Sequence, residues 1–201
     1  MMEKIIEKIF QDSIHLKQAF LLDNTAKIAR LAEEVASAFA GNRKLMICGN
    51  GGSAADSQHI AAEFINRYII ERPPLPAIAL TTDTSVLTSV GNDYSFDLVF
   101  FKQVKALGMA GDVLLTLSTS GGSENVRQAV LGAREMGIYT AAFLGGNGGS
   151  IADEVDLAIV VNSSDTPRIQ EIHITAGHAL CHLVDHILFS DPSLNFPTRA
   201  G

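Results

Sequence analysis

Five short apolar runs, each closed by a glycine-rich or polar loop and followed by a segment of helical character, constrain this chain more than any other feature. They are Leu45-Met46-Ile47-Cys48, Ala77-Ile78-Ala79-Leu80, Val113-Leu114-Leu115-Thr116-Leu117, Tyr139-Thr140-Ala141-Ala142-Phe143 and Leu157-Ala158-Ile159-Val160-Val161. Their apolar residues are consecutive rather than alternating, so both faces of each strand must be covered, as in a parallel sheet held between two helical layers. The expected fold is therefore α/β: a three-layer αβα sandwich around a five-stranded parallel sheet. In such sheets ligands bind beyond the carboxyl ends of the strands, which makes the loops after Cys48, Leu80, Leu117 and Phe143 the candidate site.

The segment before the sheet predicts two helices. Ile5, Ile6, Ile9, Phe10 and Ile14 recur at helical spacing, and Ile28, Leu31, Val35 and Phe39 do so again after a plausible cap at Asn24, ending at Gly41. The first stripe precedes any sheet that could cover it, which predicts packing on another subunit. Residues 1–40 are thus expected to form a helical oligomerisation arm, residues 41–190 the single α/β domain, and residues 191–201, with Pro192, Pro197 and Gly201, a loose tail. The charged start and the lack of a long apolar run predict a cytoplasmic protein without a membrane association. Cys48 and Cys181 lie in apolar segments without metal-site spacing and are expected to be buried thiols.

The formal net charge of −7, with no cluster of Lys or Arg, argues against a nucleic-acid surface. Any anionic ligand must then be held by local donors: backbone N–H groups, hydroxyls and helix N-termini. Two loops offer them. Gly49-Asn50-Gly51-Gly52-Ser53-Ala54 lies between a strand and a helix. It matches the glycine fingerprint of dinucleotide sites, but the acidic residue that would hold a ribose is missing at the expected distance, Asp83 coming too late. No nucleotide is expected. Ser118-Thr119-Ser120-Gly121-Gly122-Ser123 follows the third strand and opens a helix from Glu124 to Met136. Four hydroxyls, flexible glycines and a helix N-terminus make a cradle for phosphate that needs no cation. The alternative is an ordinary turn with Ser123 as N-cap.

The helix leaving the first loop carries Asp56, His59 and Glu63, and the last two, four apart, share one face. Ile60, Ala61, Phe64 and Ile65 surround Glu63 in sequence and predict an apolar setting for its carboxylate. The last long helix carries His173, His178, His182 and His186, three of them on a drifting stripe; spacing does not choose among them.

Taken together, Cys48-Gly49-Asn50-Gly51-Gly52-Ser53, Val90-Gly91-Asn92-Asp93, Ser118-Thr119-Ser120-Gly121 and Arg168-Ile169-Gln170-Glu171-Ile172-His173 resemble the sugar isomerase (SIS) domain. Within it they resemble the phosphoheptose isomerases, over roughly residues 5–190 and in the family's order. The resemblance implies a homotetramer that converts D-sedoheptulose 7-phosphate to D-glycero-D-manno-heptose 7-phosphate through an enediol, for bacterial surface polysaccharide. It implies Glu63 as the base and His178 as the acid, the two groups an aldose–ketose shift requires. It also implies substrate contacts at Asn50, Gly51, Gly52, Asn92, Asp93, Ser118, Thr119, Ser120, Ser123 and Gln170. Some members hold zinc, with ligands matching His59, Glu63, Gln170 and His178, a donor set zinc accepts. Gly122 departs from the family, which often has Asn there. Glu71-Arg72-Pro73 to Leu80 and Lys105 to Leu115 also resemble a sister branch of non-catalytic scaffolds that associate with the replication initiator DnaA. That branch lacks the acid and base that Glu63 and His178 match here. A sugar-phosphate-sensing regulator would need a helix-turn-helix, and the N-terminal helices lack a basic recognition face.

Overall fold

A computed structural model describes residues 1–190 of the chain. Five parallel strands, β1 (Leu45–Gly49), β2 (Ala77–Ala79), β3 (Val113–Ser118), β4 (Tyr139–Gly145) and β5 (Leu157–Val161), form one sheet in the order β2-β1-β3-β4-β5. Around it lie α1 (Met2–Ala40), α2 (Gly52–Ile65), α3 (Thr84–Asp93), α4 (Val99–Leu107), α5 (Glu124–Glu135) and α6 (Thr166–Phe189). The expected three-layer sandwich is what the chain forms. Alternate strand residues feed two cores. Leu45, Ile47, Leu115, Leu117, Ala141 and Phe143 pack with α1, α2 and α6 on one face, while Met46, Cys48, Leu114, Ala142 and Leu144 pack with α3, α4 and α5 on the other. Both thiols are buried, and burial pushes each well above the ordinary cysteine range, as expected of inert core residues.

The N-terminal segment differs from expectation. It is one helix of 39 residues, not two. Asn24 does not cap a second helix: its Nδ2 donates to the Phe20 carbonyl at 3.0 Å within α1 and to the Val160 carbonyl of β5 at 3.3 Å. The Nδ2 donor is thus engaged within a continuous helix, Oδ1 being buried without a hydrogen-bond partner, and the side chain caps no helix start. Ile28, Leu31, Val35 and Phe39 are buried against the sheet, each contributing roughly 1.5–3 kcal/mol of apolar burial. Ile5, Ile6, Ile9, Phe10 and Ile14 remain between 44% and 65% exposed. The tail assigned to residues 191–201 lies outside the described residues.

The strand order decides where a ligand can sit. From β1 the chain steps to β2 on one side and then crosses to β3 on the other, so the order reverses between β1 and β3 and opens a crevice at their carboxyl ends. The two glycine- and serine-rich loops leave the sheet at that point, from Gly49 and Ser118.

Candidate active site

The first loop turns sharply into α2. Gly51, at φ 56° and ψ −121°, occupies backbone space that side chains avoid, and α2 begins with no side-chain cap and no acid in its first turn, so its N-terminal pole is uncovered. A Cβ on Gly52 would overlap the Gln170 amide nitrogen, so the α6 side chain lies directly on this loop. The sequence-derived residues Gly52 and Gln170 therefore meet.

The second loop is knitted from its own hydroxyls. Ser118 Oγ lies 3.2 Å from Ser123 Oγ and 3.5 Å from Ser120 Oγ, and accepts from the Gly121 N–H at 3.1 Å. Ser120 Oγ accepts from the Gly122 N–H at 3.2 Å. Ser123 holds the N-cap position of α5, as the turn alternative expects, but its side chain makes no capping hydrogen bond. Gly121, at φ 65°, packs against Gly148 and Gly149 of the loop after β4, with no room for a Cβ.

The acid–base residues converge from α2 and α6. His59 Nε2 and His178 Nε2 stand 2.9 Å apart, a contact in which one ring donates to the other, and His59 Nε2 is 3.6 Å from Glu63 Oε1. Tyr68 stacks on His178 at 5.6 Å between centroids. The histidines that spacing left equivalent now separate: His178 faces α2, His182 meets the Tyr68 ring edge-on at 6.4 Å between centroids, and His186 Nδ1 pairs with Ser190 Oγ at 2.8 Å, while His173 is buried beside the Leu144 carbonyl. The apolar setting expected for Glu63 is not found. Ile60, Ala61 and Phe64 are buried in the core, whereas the Glu63 side chain keeps 23% exposure, with its carboxylate beside the His59 imidazole. Sequence neighbours on a helix are not spatial neighbours. Asp56, one turn before His59, has its carboxyl pKa raised by burial, opposed by attraction to His59 and His178, and its Oδ2 is buried without a hydrogen-bond partner.

Asn92 and Asp93 are not brought to this cluster within the chain. They are exposed at the end of α3, with Asn92 Nδ2 donating to Asp93 Oδ1 at 2.9 Å. Asp83 accepts from the Val86 N–H at 2.9 Å as the N-cap of α3.

The SIS domain family model matches residues 10–145. A phosphoheptose isomerase from Geobacter sulfurreducens is 58% identical over 163 residues, covering 81% of this chain and 86% of the relative. One from Nitratidesulfovibrio vulgaris is 53% identical over 176 residues, covering 88% and 85%. The chain belongs to the SIS-domain phosphoheptose isomerase family. The solved structure of a phosphoheptose isomerase from Neisseria gonorrhoeae superposes with a TM-score of 0.87 at 44% identity, covering 92% of this chain and 99% of that one.

Two features of this isomerase site escaped sequence reasoning. Asn125 and Asn50 exchange reciprocal amide hydrogen bonds, both 2.8 Å, tying the first loop to the start of α5 and hence to the serine loop. Asn125 follows the second loop by only two residues, but no spacing rule pairs it with a residue 75 positions away. The other is Arg72, whose positive charge beside the prolines of the connection from α2 to β2 gives no sequence signal of burial and is in fact buried.

Proposed function

We infer that this phosphoheptose isomerase holds the phosphate of sedoheptulose 7-phosphate on the Ser118–Ser123 loop and shifts its carbonyl with Glu63 and His178. The observation that carries the reading is the convergence of Glu63, His59 and His178 from α2 and α6, the two helices whose opening turns bring Gly52 and Gln170 together at the first anion loop. A substrate bound there places its phosphate among Ser118, Thr119, Ser120, Ser123 and the α5 N-terminus, a set without lysine or arginine that answers the −7 charge of the chain. Asn50, Gly51, Gly52 and Gln170 line the opposite side and direct the sugar hydroxyls. Glu63 takes the C1 proton of the ketose while His178 protonates O2, giving the enediol. Loss of the O1 proton and return of a proton to C2 then gives the aldose, so protons move and nothing is oxidised overall. His59, in contact with both groups, relays charge between them.

The zinc reading belongs to the same proposal. His59, Glu63, Gln170 and His178 are donors of the kind zinc takes. As placed, however, the two imidazoles make a hydrogen bond, and among the described residues no three His, Cys, Asp or Glu side chains form a metal cage. Bound zinc would supply Lewis-acid polarisation of the carbonyl. The steps above are assigned to side chains alone.

A homotetramer, with Asn92 and Asp93 contributing across subunits, is supported by the exposed apolar stripe from Ile5 to Ile14 and by the exposure of Asn92 and Asp93 at the end of α3. No helix among the described residues is long and apolar enough to cross a membrane, which supports the cytoplasmic assignment. The scaffold reading requires neither acid nor base, and both are present.

The test is turnover of sedoheptulose 7-phosphate by wild type, Glu63→Gln and His178→Ala, with and without chelator. Each substitution is expected to lower kcat by at least about 100-fold. A folded Glu63→Gln enzyme with wild-type turnover would remove the proposed base, and loss of wild-type activity to chelator would bring zinc into the reaction.

A further inference from the structure

Arg72 is one of the most constrained side chains of the molecule and has no part in the chemistry just described. It sits in the connection between α2 and β2, with its side chain only 1% exposed. Nε donates to Asp185 Oδ1 at 2.8 Å, Nη2 to the Glu63 carbonyl at 2.9 Å, and Nη1 to the Phe64 carbonyl at 2.7 Å, with longer contacts to the Asn66 and Pro73 carbonyls. Glu63 and Phe64 belong to the last turn of α2, which carries no basic residue of its own, so the guanidinium both satisfies end carbonyls and meets the negative pole of the helix. Asp185 belongs to α6, two turns beyond His178.

A second contact fixes the same pair of helices on the other side of His178. A Cβ on Gly177 would come within 2.5 Å of Ile60 Cδ1, so the helices touch backbone to side chain there. Glu63 and His178 are therefore bracketed: Ile60 and Gly177 at one end, Arg72 and Asp185 at the other.

Stability is a poor reason for the Arg72–Asp185 pair. Buried ion pairs are often matched or exceeded in stability by apolar residues of similar volume, because desolvation offsets their attraction. This pair is also incomplete, since Asp185 Oδ2 is buried without a hydrogen-bond partner. What it supplies is direction: a planar fork whose donors reach two helices at fixed angles, which no apolar contact reproduces.

We propose that Arg72, anchored by Asp185, is a positioning residue that sets the separation of Glu63 on α2 from His178 on α6. The inference rests on the assignment of those two groups as base and acid. It acts on the reacting carbons and leaves the phosphate loop, which it does not touch, unchanged.

The test compares wild type, Arg72→Lys and the double variant Arg72→Met/Asp185→Leu on sedoheptulose 7-phosphate, with Glu63→Gln as control. Lysine keeps the charge opposite Asp185 but cannot hold both α2 carbonyls. The double variant removes the ion pair and restores apolar packing. Both are expected to lose kcat by about 30- to 100-fold, the scale of a misplacement near 1 Å, with KM within about three-fold and an altered pH profile. The double variant removes the desolvated ion pair but also the donors to the α2 carbonyls, and is expected to fold and to melt close to the wild-type temperature, so that slow turnover is read on a folded enzyme. A folded Arg72→Lys enzyme with wild-type kcat overturns the proposal, as does a double variant that is stable and fully active. Should the double variant not fold, Arg72→Lys decides alone. Turnover retained in Glu63→Gln would sink the underlying base assignment instead, whereas an inactive Glu63→Gln beside a fully active Arg72→Lys sinks this inference only.

Discussion

Acid should destabilise this isomerase through His173 over a window that the structure defines. The ring is 1% exposed on α6, with Nε2 3.3 Å from the Leu144 carbonyl. A carbonyl only accepts, so Nε2 carries the proton, and Nδ1 is left buried without a partner. Burial pushes the ring down from 6.5 to about 4, partly opposed by the bond to Leu144. In the unfolded chain the ring takes a proton below about pH 6.5, whereas the native ring stays neutral until about pH 4. The contribution is therefore complete above pH 6.5 and is lost as the pH falls toward 4. A depression of that size corresponds to about 3 kcal/mol, or roughly 10 °C in melting temperature for a chain of this length. Other groups titrate in the same range, so the measurement is a difference: thermal unfolding of wild type and His173→Gln at pH 7.0, 5.5 and 4.5. Glutamine can donate to Leu144 but does not titrate. The wild-type melting temperature should fall more steeply by several degrees between the extremes, and parallel curves for the two proteins would refute the reasoning.

Asn125→Ala frees the first loop from α5 and leaves the Asn50 amide without its partner; KM for the sugar phosphate should rise about ten-fold while kcat changes little, measured by initial rates. Gly121→Ala forces a side chain into φ 65° and onto the Gly148 carbonyl, and urea unfolding should show a loss of at least about 2 kcal/mol; an unchanged midpoint would mean that this loop contact is not rigid. Phe10→Glu places charge on the exposed stripe of α1 and should dissociate the proposed tetramer in sedimentation velocity and lower activity with it; a fully active wild-type monomer in dilute solution would remove the proposed intersubunit site.

Much of this isomerase is written in local pattern. Consecutive apolar runs specify covered parallel strands, because a strand buried on both faces cannot afford alternating polar residues, and the glycine and serine loops announce anion binding, because backbone approach and hydroxyl density are properties of a few adjacent residues. His59 and Glu63 were legible as neighbours for the same reason, since four residues make one helical turn. The continuity of α1 was not, because what keeps Asn24 from acting as a cap is a carbonyl on β5, 136 positions away. The choice of His178 over His182 and His186 by physical means, the Asn50–Asn125 bracket and the burial of Arg72 likewise depend on which surfaces the crossing at β1 and β3 brings together. Periodicity tells each segment which side to bury. Only the packed sheet decides what that side, and the one opposite it, will face.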